Sequence, residues 1–237
     1  ARDKLAALAD AGLARRITET RRKAESRAER DGSELISFCC NDYLNLTQHH
    51  RVKRAAIAAI EKYGMGAGAS RLVTGSHPLY VRLEAALARF KGTEAAIVFG
   101  SGYLANLGIL PAIAGSGDLI VADELVHSSL HAGTRAAGAR ALLFAHNDTG
   151  DCRRLLAEQR AGHRRCLILT EGVFSMDGDR APLEALSALA REHDCWLLVD
   201  DAHGFGVLGG GRGSAFEDGM AIDIPLQMGT LSKAVGA

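Results

Sequence analysis

The sequence predicts an α/β fold, a mainly parallel sheet sandwiched by helices. Three observations lead there. From Glu94 onward, short apolar runs alternate with amphipathic segments. The runs are apolar throughout rather than alternating, as in strands covered on both faces. Helical segments separate most of them, and parallel neighbours require such crossovers.

In chain order, residues 1–30 are charged and alanine-rich, with Leu5, Leu8 and Leu13 at loose helical spacing, and predict an amphipathic N-terminal helix. LISFCC (35–40) is a short strand, and NDYLNL turns the chain. Residues 50–63 place Val52, Ala56, Ile60 and Tyr63 on one helical face, and Gly64 ends that helix. After the glycine-rich GMGAGASRLVTGS, Pro78 opens a helix whose buried stripe is Leu79, Leu83, Leu87 and Phe90. The strands of the sheet are then AAIVF (95–99), DLIVA (118–122), ALLFA (141–145), CLILT (166–170), CWLLVD (195–200) and PLQMG (225–229). This divides the chain into an N-terminal helical segment with a short strand (1–45) and a large domain (46–237). The last residues, TLSKAVGA, follow a strand with no closing element, so a truncated domain is expected.

Composition narrows the function. Formal net charge is zero over 237 residues, which argues against nucleic acid, since a polyphosphate needs a basic face. Cys39, Cys40, Cys152, Cys166 and Cys195 are odd in number and form no C-x-x-C, and read as reduced thiols. No window has the length of a membrane span and the N-terminus lacks an uncharged apolar core, so a soluble, cytoplasmic protein is expected.

Open α/β sheets gather ligands at the carboxyl ends of their strands. Gly100-Ser101-Gly102-Tyr103-Leu104-Ala105-Asn106 follows the first run, and its glycines and helix start suit an anion. It also matches a loose dinucleotide fingerprint, with Asp123 about 20 residues on. A ligand-free tight turn is the plain alternative. Asp200 ends an apolar strand, where a carboxylate stays ionised only beside a cation or good donors; a protonated pyridine nitrogen is such a partner. His203 could donate to a phenolic oxygen of the same ring. Turn capping, or D-x-x-H metal ligation, are the other readings. Lys233, beside a buried strand end, has the amine to form an imine with an aldehyde, and Thr230 and Ser232 suit a phosphate. His127 could stack on a planar ring or merely cap a helix; with His131 it could bind a metal, but no carboxylate at HExxH spacing supports that. GVLGGGRGS (206–214) lacks a P-loop and reads as a mobile surface loop.

CNDYLNL, GAGASRLVTGSHPLYVRLE, SGYLAN, TEGVFSMDGDRAPL with VDDAHGFGVLGGGRG, and TLSKAVG together resemble the α-oxoamine synthases among fold-type I pyridoxal-phosphate enzymes. The resemblance implies a fold-type I large domain whose smaller C-terminal domain is missing here, and pyridoxal 5'-phosphate as cofactor. It implies Lys233 as the Schiff-base lysine, Asp200 as partner of the pyridine nitrogen, and His203 and Ser175 near the ring hydroxyl. His127 matches the stacked imidazole, Gly102 and Tyr103 the backbone phosphate contacts, and Thr230 a hydroxyl contact. Arg15 matches a basic residue meeting the acyl substrate, and Asn41 and Ser70 lie in motifs near the substrate. GASRLVTG is the wording of the biotin-pathway member, which joins L-alanine to pimeloyl-CoA or pimeloyl-carrier protein as a homodimer. A glycine C-acetyltransferase is the alternative within the family, and an NAD-dependent dehydrogenase the alternative outside it.

Overall fold

The computed structural model describes residues 2–23, 25–219 and 221–237. The chain forms two compact units, residues 1–40 and 41–237.

In the first unit the expected long helix is short. Helix α1 spans Arg2–Asp10 and gives way at Gly12, whose φ of 68° suits glycine after a helix end. Residues 21–36 instead make an antiparallel sheet of β1 (Arg21–Arg22), β2 (Arg27–Arg30) and β3 (Ser33–Ile36). The turn explains the change. Asp31 and Gly32 both have positive φ, 51° and 74°, as a two-residue Asp-Gly hairpin requires. Lys23 Nζ lies 3.2 Å from Glu29 and 3.6 Å from Glu34, so the charges spread along the segment pair across strands. The strand expected at 35–40 is confined to Ser33–Ile36.

The second unit holds the α/β fold. Its elements are α2 (His50–Tyr63), α3 (Pro78–Lys91), α4 (Gly102–Ile113), β4 (Leu119–Asp123), α5 (Ser128–Ala137), β5 (Arg140–Phe144), α6 (Thr149–Gln159), β6 (Cys166–Glu171), α7 (Leu183–Glu192), β7 (Trp196–Asp200) and β8 (Leu226–Met228). The sheet runs β5-β4-β6-β7-β8, and every pairing is parallel. Alternate residues of each strand feed two separate cores. Leu119, Val121, Ile168, Leu197 and Val199 join Leu156 of α6 and Leu186 of α7. Ile120, Ala122, Leu167, Leu169 and Leu198 join Leu110 of α4 and Leu130 of α5. This is why the runs are apolar without alternation.

Helices α4 and α5 meet at Gly133. A β-carbon there would fall on the Asn106 carbonyl oxygen and within 2.9 Å of the Leu110 side chain. Only glycine lets the two helices lie this close.

Two further expectations differ from the structure. The stripe of α3 is not buried: Leu79 and Phe90 are exposed and no residue of the helix is fully covered. Residues 95–99 form no ladder, and Ile97 is 71% exposed. Without a paired neighbour, an apolar run has no hydrogen-bonding reason to become a strand. Among the described residues no helix is long and apolar enough to cross a membrane.

Candidate active site

Because β4, β6, β7 and β8 run the same way, the residues beyond their carboxyl ends share one edge of the sheet. Asp200, the last residue of β7, is 4% exposed. Asn106 Nδ2 donates to its Oδ2 at 2.7 Å, and the Ala202 N–H to its Oδ1 at 3.1 Å. Burial raises its pKa; Asn106, the Ala202 N–H, Lys233 and His127 pull it back. Glu171 ends β6 directly opposite Asp200 in register. Burial and the Asp200 charge push the Glu171 carboxyl up to about 7, against the His127 and Ser175 N–H groups and Lys233. Its Oε1 is buried without a hydrogen-bond partner.

Lys233 follows β8 and is half-buried. Burial lowers its pKa, opposed by the charges of Asp200 and Glu171. A larger fraction of such an amine is uncharged and nucleophilic than in water. His203 is pushed down to about 4 by burial, then by Lys233 and His127, so its ring is neutral at pH 7. Tyr43 Oη lies 2.7 Å from His203 Nδ1 and 3.4 Å from Asn41 Oδ1. One tyrosine thus links Asn41 to His203.

His127 caps α5, its Nδ1 accepting the Ser129 N–H at 3.2 Å. Helix capping and a place at the site therefore coincide. Ser129 Oγ lies 2.7 Å from the same nitrogen, and Asn106 Nδ2 donates to that Oγ at 2.9 Å. A continuous line of hydrogen bonds runs from Asp200 through Asn106 and Ser129 to His127. Asn106 and Ser129 are buried.

Gly102 opens α4, and Ser101 Oγ caps the helix by accepting the Leu104 N–H at 3.2 Å. A β-carbon at Gly102 would lie 3.7 Å from that of Thr230, so the helix start and the β8 loop adjoin. Thr230 Oγ1 is 2.8 Å from Ser232 Oγ. The first N–H groups of a helix lack intrahelical partners, so the helix start at Gly102 and Tyr103, with these hydroxyls, offers donors that could meet an anion. Ser175 lies in the turn after β6, closed by the Phe174 N–H to the Asp179 carbonyl at 2.9 Å.

Other candidates fall elsewhere. Ser70 precedes a single helical turn and accepts the Gly75 N–H at 2.9 Å. Arg15 lies between α1 and β1 in the first unit. The Asp123 carboxylate is taken by the Leu125 N–H at 2.9 Å, the Asn147 N–H at 2.8 Å and His146, which leaves it no role towards a dinucleotide ribose. Among the described residues no group of three or more His, Cys, Asp or Glu side chains is placed to hold a metal. The loop 206–214, expected to be mobile, is pinned. Asp201 accepts from the Ser214 N–H at 3.0 Å and from Ser214 Oγ at 2.5 Å, and Lys91 donates to the Arg212 carbonyl at 2.6 Å. Asn106 and Glu171 stand among the strand-end residues of the sequence, but they and Tyr43 carry no role from it. For Asn106 and Glu171, a polar residue beside apolar ones was the available signal.

A buried acid, an amine of lowered pKa, a neutral imidazole and a phosphate cradle can hold one flat, phosphorylated, aldehyde-bearing ring. The orphaned Oδ1 of Asn106 and Oε1 of Glu171 fit a site that expects a polar ligand. The chain belongs to the aminotransferase class I and II family, whose profile matches residues 33–237. Within it, the chain is similar to the 8-amino-7-oxononanoate synthase of Methylobacterium sp. (strain 4-46), with 61% identity over 234 residues, 99% of this chain and 59% of the relative. Its fold is similar to serine palmitoyltransferase from S. paucimobilis, solved with a PLP–myriocin aldimine. That match has a TM-score of 0.90 and 34% identity over 100% of this chain and 60% of the other. An 8-amino-7-oxononanoate synthase from Francisella tularensis matches with a TM-score of 0.69 and 30% identity, over 84% of this chain and 55% of that one. The chain spans about three-fifths of the length of the curated relatives it matches.

Proposed function

We propose that this chain carries the cofactor-binding machinery of a pyridoxal-phosphate enzyme. The enzyme condenses L-alanine with pimeloyl-CoA, or pimeloyl-carrier protein, releasing the thiol and carbon dioxide and giving 8-amino-7-oxononanoate for biotin synthesis. One observation carries the reading: Asp200 ends β7 and Lys233 follows the neighbouring β8, each in the other's electrostatic field. The relatives named 8-amino-7-oxononanoate synthase support this choice of product.

When bound, the cofactor's ring acts as a sink for the electrons left at the amino acid's α-carbon. Asp200 would keep a proton on the ring nitrogen, where a buried carboxylate would find a cationic partner. Lys233 Nζ would hold the aldehyde and, once the substrate's amine has displaced it, would be the free amine placed to take the α-proton. His127, held by Ser129 and through it by Asn106, would meet the ring face. His203, through the nitrogen that Tyr43 does not engage, and Ser175 meet the ring hydroxyl. The Gly102 and Tyr103 N–H groups and Thr230 Oγ1 hold the phosphate. Arg15 meets the acyl substrate, and Asn41 and Ser70 lie near it. The working protein is a cytoplasmic homodimer with its site between subunits.

The wild-type protein with pyridoxal phosphate is expected to absorb at about 420 nm, as lysine-bound cofactor does, and Lys233→Ala to lose the band. A band that persists assigns another lysine. Thiol release from pimeloyl-CoA with alanine, set against acetyl-CoA with glycine, tests the substrates; activity with the second pair alone removes this assignment.

A further inference from the structure

His146, just after β5, joins elements that the reaction above does not use. Its Nδ1 lies 3.0 Å from Asp123 Oδ1 and 3.2 Å from Oδ2, and its Nε2 lies 2.8 Å from Asp179 Oδ2. Its ring meets Phe174 edge-on, with centroids 4.4 Å apart. Asp123 is the buried end of β4, and Asp179 closes the turn that carries Ser175. Asn147 braces the same pair, donating its N–H to Asp123 Oδ2 at 2.8 Å and its Nδ2 to Asp179 Oδ2 at 2.7 Å, and that Nδ2 lies 3.3 Å from His146 Nε2.

A neutral imidazole has one N–H, so it can donate to one carboxylate only; at the other nitrogen, lone pair would face lone pair. With both acids ionised, a hydrogen bond to each requires hydrogen on both nitrogens. We propose that His146 is a positioning residue: an imidazolium clamped between Asp123 and Asp179 that holds the Ser175 turn to the end of β4 and frees it on losing its proton. The link from the clamp to the cofactor rests on the function proposed above, through Ser175.

The charges nearby agree. Burial opposes protonation of His146, but hydrogen bonds and charges from Asp123 and Asp179 outweigh it and raise the pKa above 6.5. The other charged groups on the surrounding elements are Glu124 after β4, Asp148, Asp151 and Arg154 at the start of α6, and Asp177 and Arg180 in the turn. Glu124 accepts the His146 N–H at 3.1 Å, and Arg154 is already paired with Asp151. Because the folded pKa is raised, the clamp is complete below 6.5 and is lost as pH rises through the folded value.

The test follows the His146 ring proton by NMR in the cofactor-free protein, together with hydrogen exchange at Phe174 and Gly178, whose N–H groups close the turn. The expected result is a midpoint above 6.5. Protection of the turn should fall on the order of tenfold through the same midpoint, beyond the chemical rate. His146→Gln should show the lower protection at every pH. If that variant does not fold, Asp179→Asn should bring the midpoint back towards 6.5. Cofactor affinity of the wild type, taken relative to His146→Gln, should weaken over the same pH range. A ring that titrates at or below 6.5, a His146→Gln turn as protected as the wild type at low pH, or an affinity ratio flat with pH would each overturn the proposal. A wild-type protein that shows the clamp titration but no lysine-dependent absorbance would overturn the proposed function and support the clamp.

Discussion

Replacing Glu171 with Gln changes how stability depends on pH, and the size of the change follows from the site. The Glu171 carboxyl is 2% exposed and titrates at about 7, against an ordinary 4.5. At about 1.4 kcal/mol per pH unit, that distance comes to roughly 3 kcal/mol. The sign is fixed by the upward direction. The protonated acid is tolerated in the fold, so its contribution is whole below pH 4.5, falls between 4.5 and about 7, and is flat above. Glutamine does not titrate. The stability of the wild type minus that of Glu171→Gln, both without cofactor, should therefore drop by roughly 3 kcal/mol between pH 4.5 and pH 7.5. Urea unfolding read by Trp196 measures it, since this single tryptophan opens β7. The buried acids Asp200 and Asp201 are common to both proteins and largely cancel. A difference that stays constant across this range refutes the reasoning.

Further expectations concern the residues that hold the site. Asn106→Ala removes the donor to both Asp200 and Ser129. At about 1.5–3 kcal/mol for a bond to a charged group, cofactor binding followed by absorbance should weaken roughly 10- to 100-fold. Asp201→Asn can no longer accept from both the N–H and Oγ of Ser214 in the same way. It should cost about 1–3 kcal/mol in urea unfolding and speed proteolysis within 206–214; an unchanged digest would show that the loop is held by Lys91 and Arg212 instead.

The sheet was legible because a strand covered on both faces leaves an uninterrupted apolar run, and the five paired strands fall on five of the six runs named from the sequence. The sixth, at 95–99, looks the same, because composition reports burial and not the presence of a neighbour. The hairpin at 21–36 was hidden by its charge. Its strands are rich in Arg and Glu, whose helical propensity is high in isolation, and only the Asp31-Gly32 pair signalled a turn. His127, Asp200, His203 and Lys233 were legible as strand-end residues, since the fold decides where such residues go. Asn106 was not. Its function as a bridge exists only because α4 crosses beneath α5 and presents an amide to Asp200, 94 positions away in sequence. Tyr43 and His146 were opaque for the same reason, their partners being set by tertiary structure.

The contact at Gly133 bears on any attempt to re-engineer this scaffold. With no room for even one methyl group between α5 and the Asn106 carbonyl, the helix that starts after His127 cannot be slid or tilted to suit a bulkier reactant. A designer seeking new selectivity would leave that crossing alone and vary the loops, where a change of shape does not disturb the anchoring of His127.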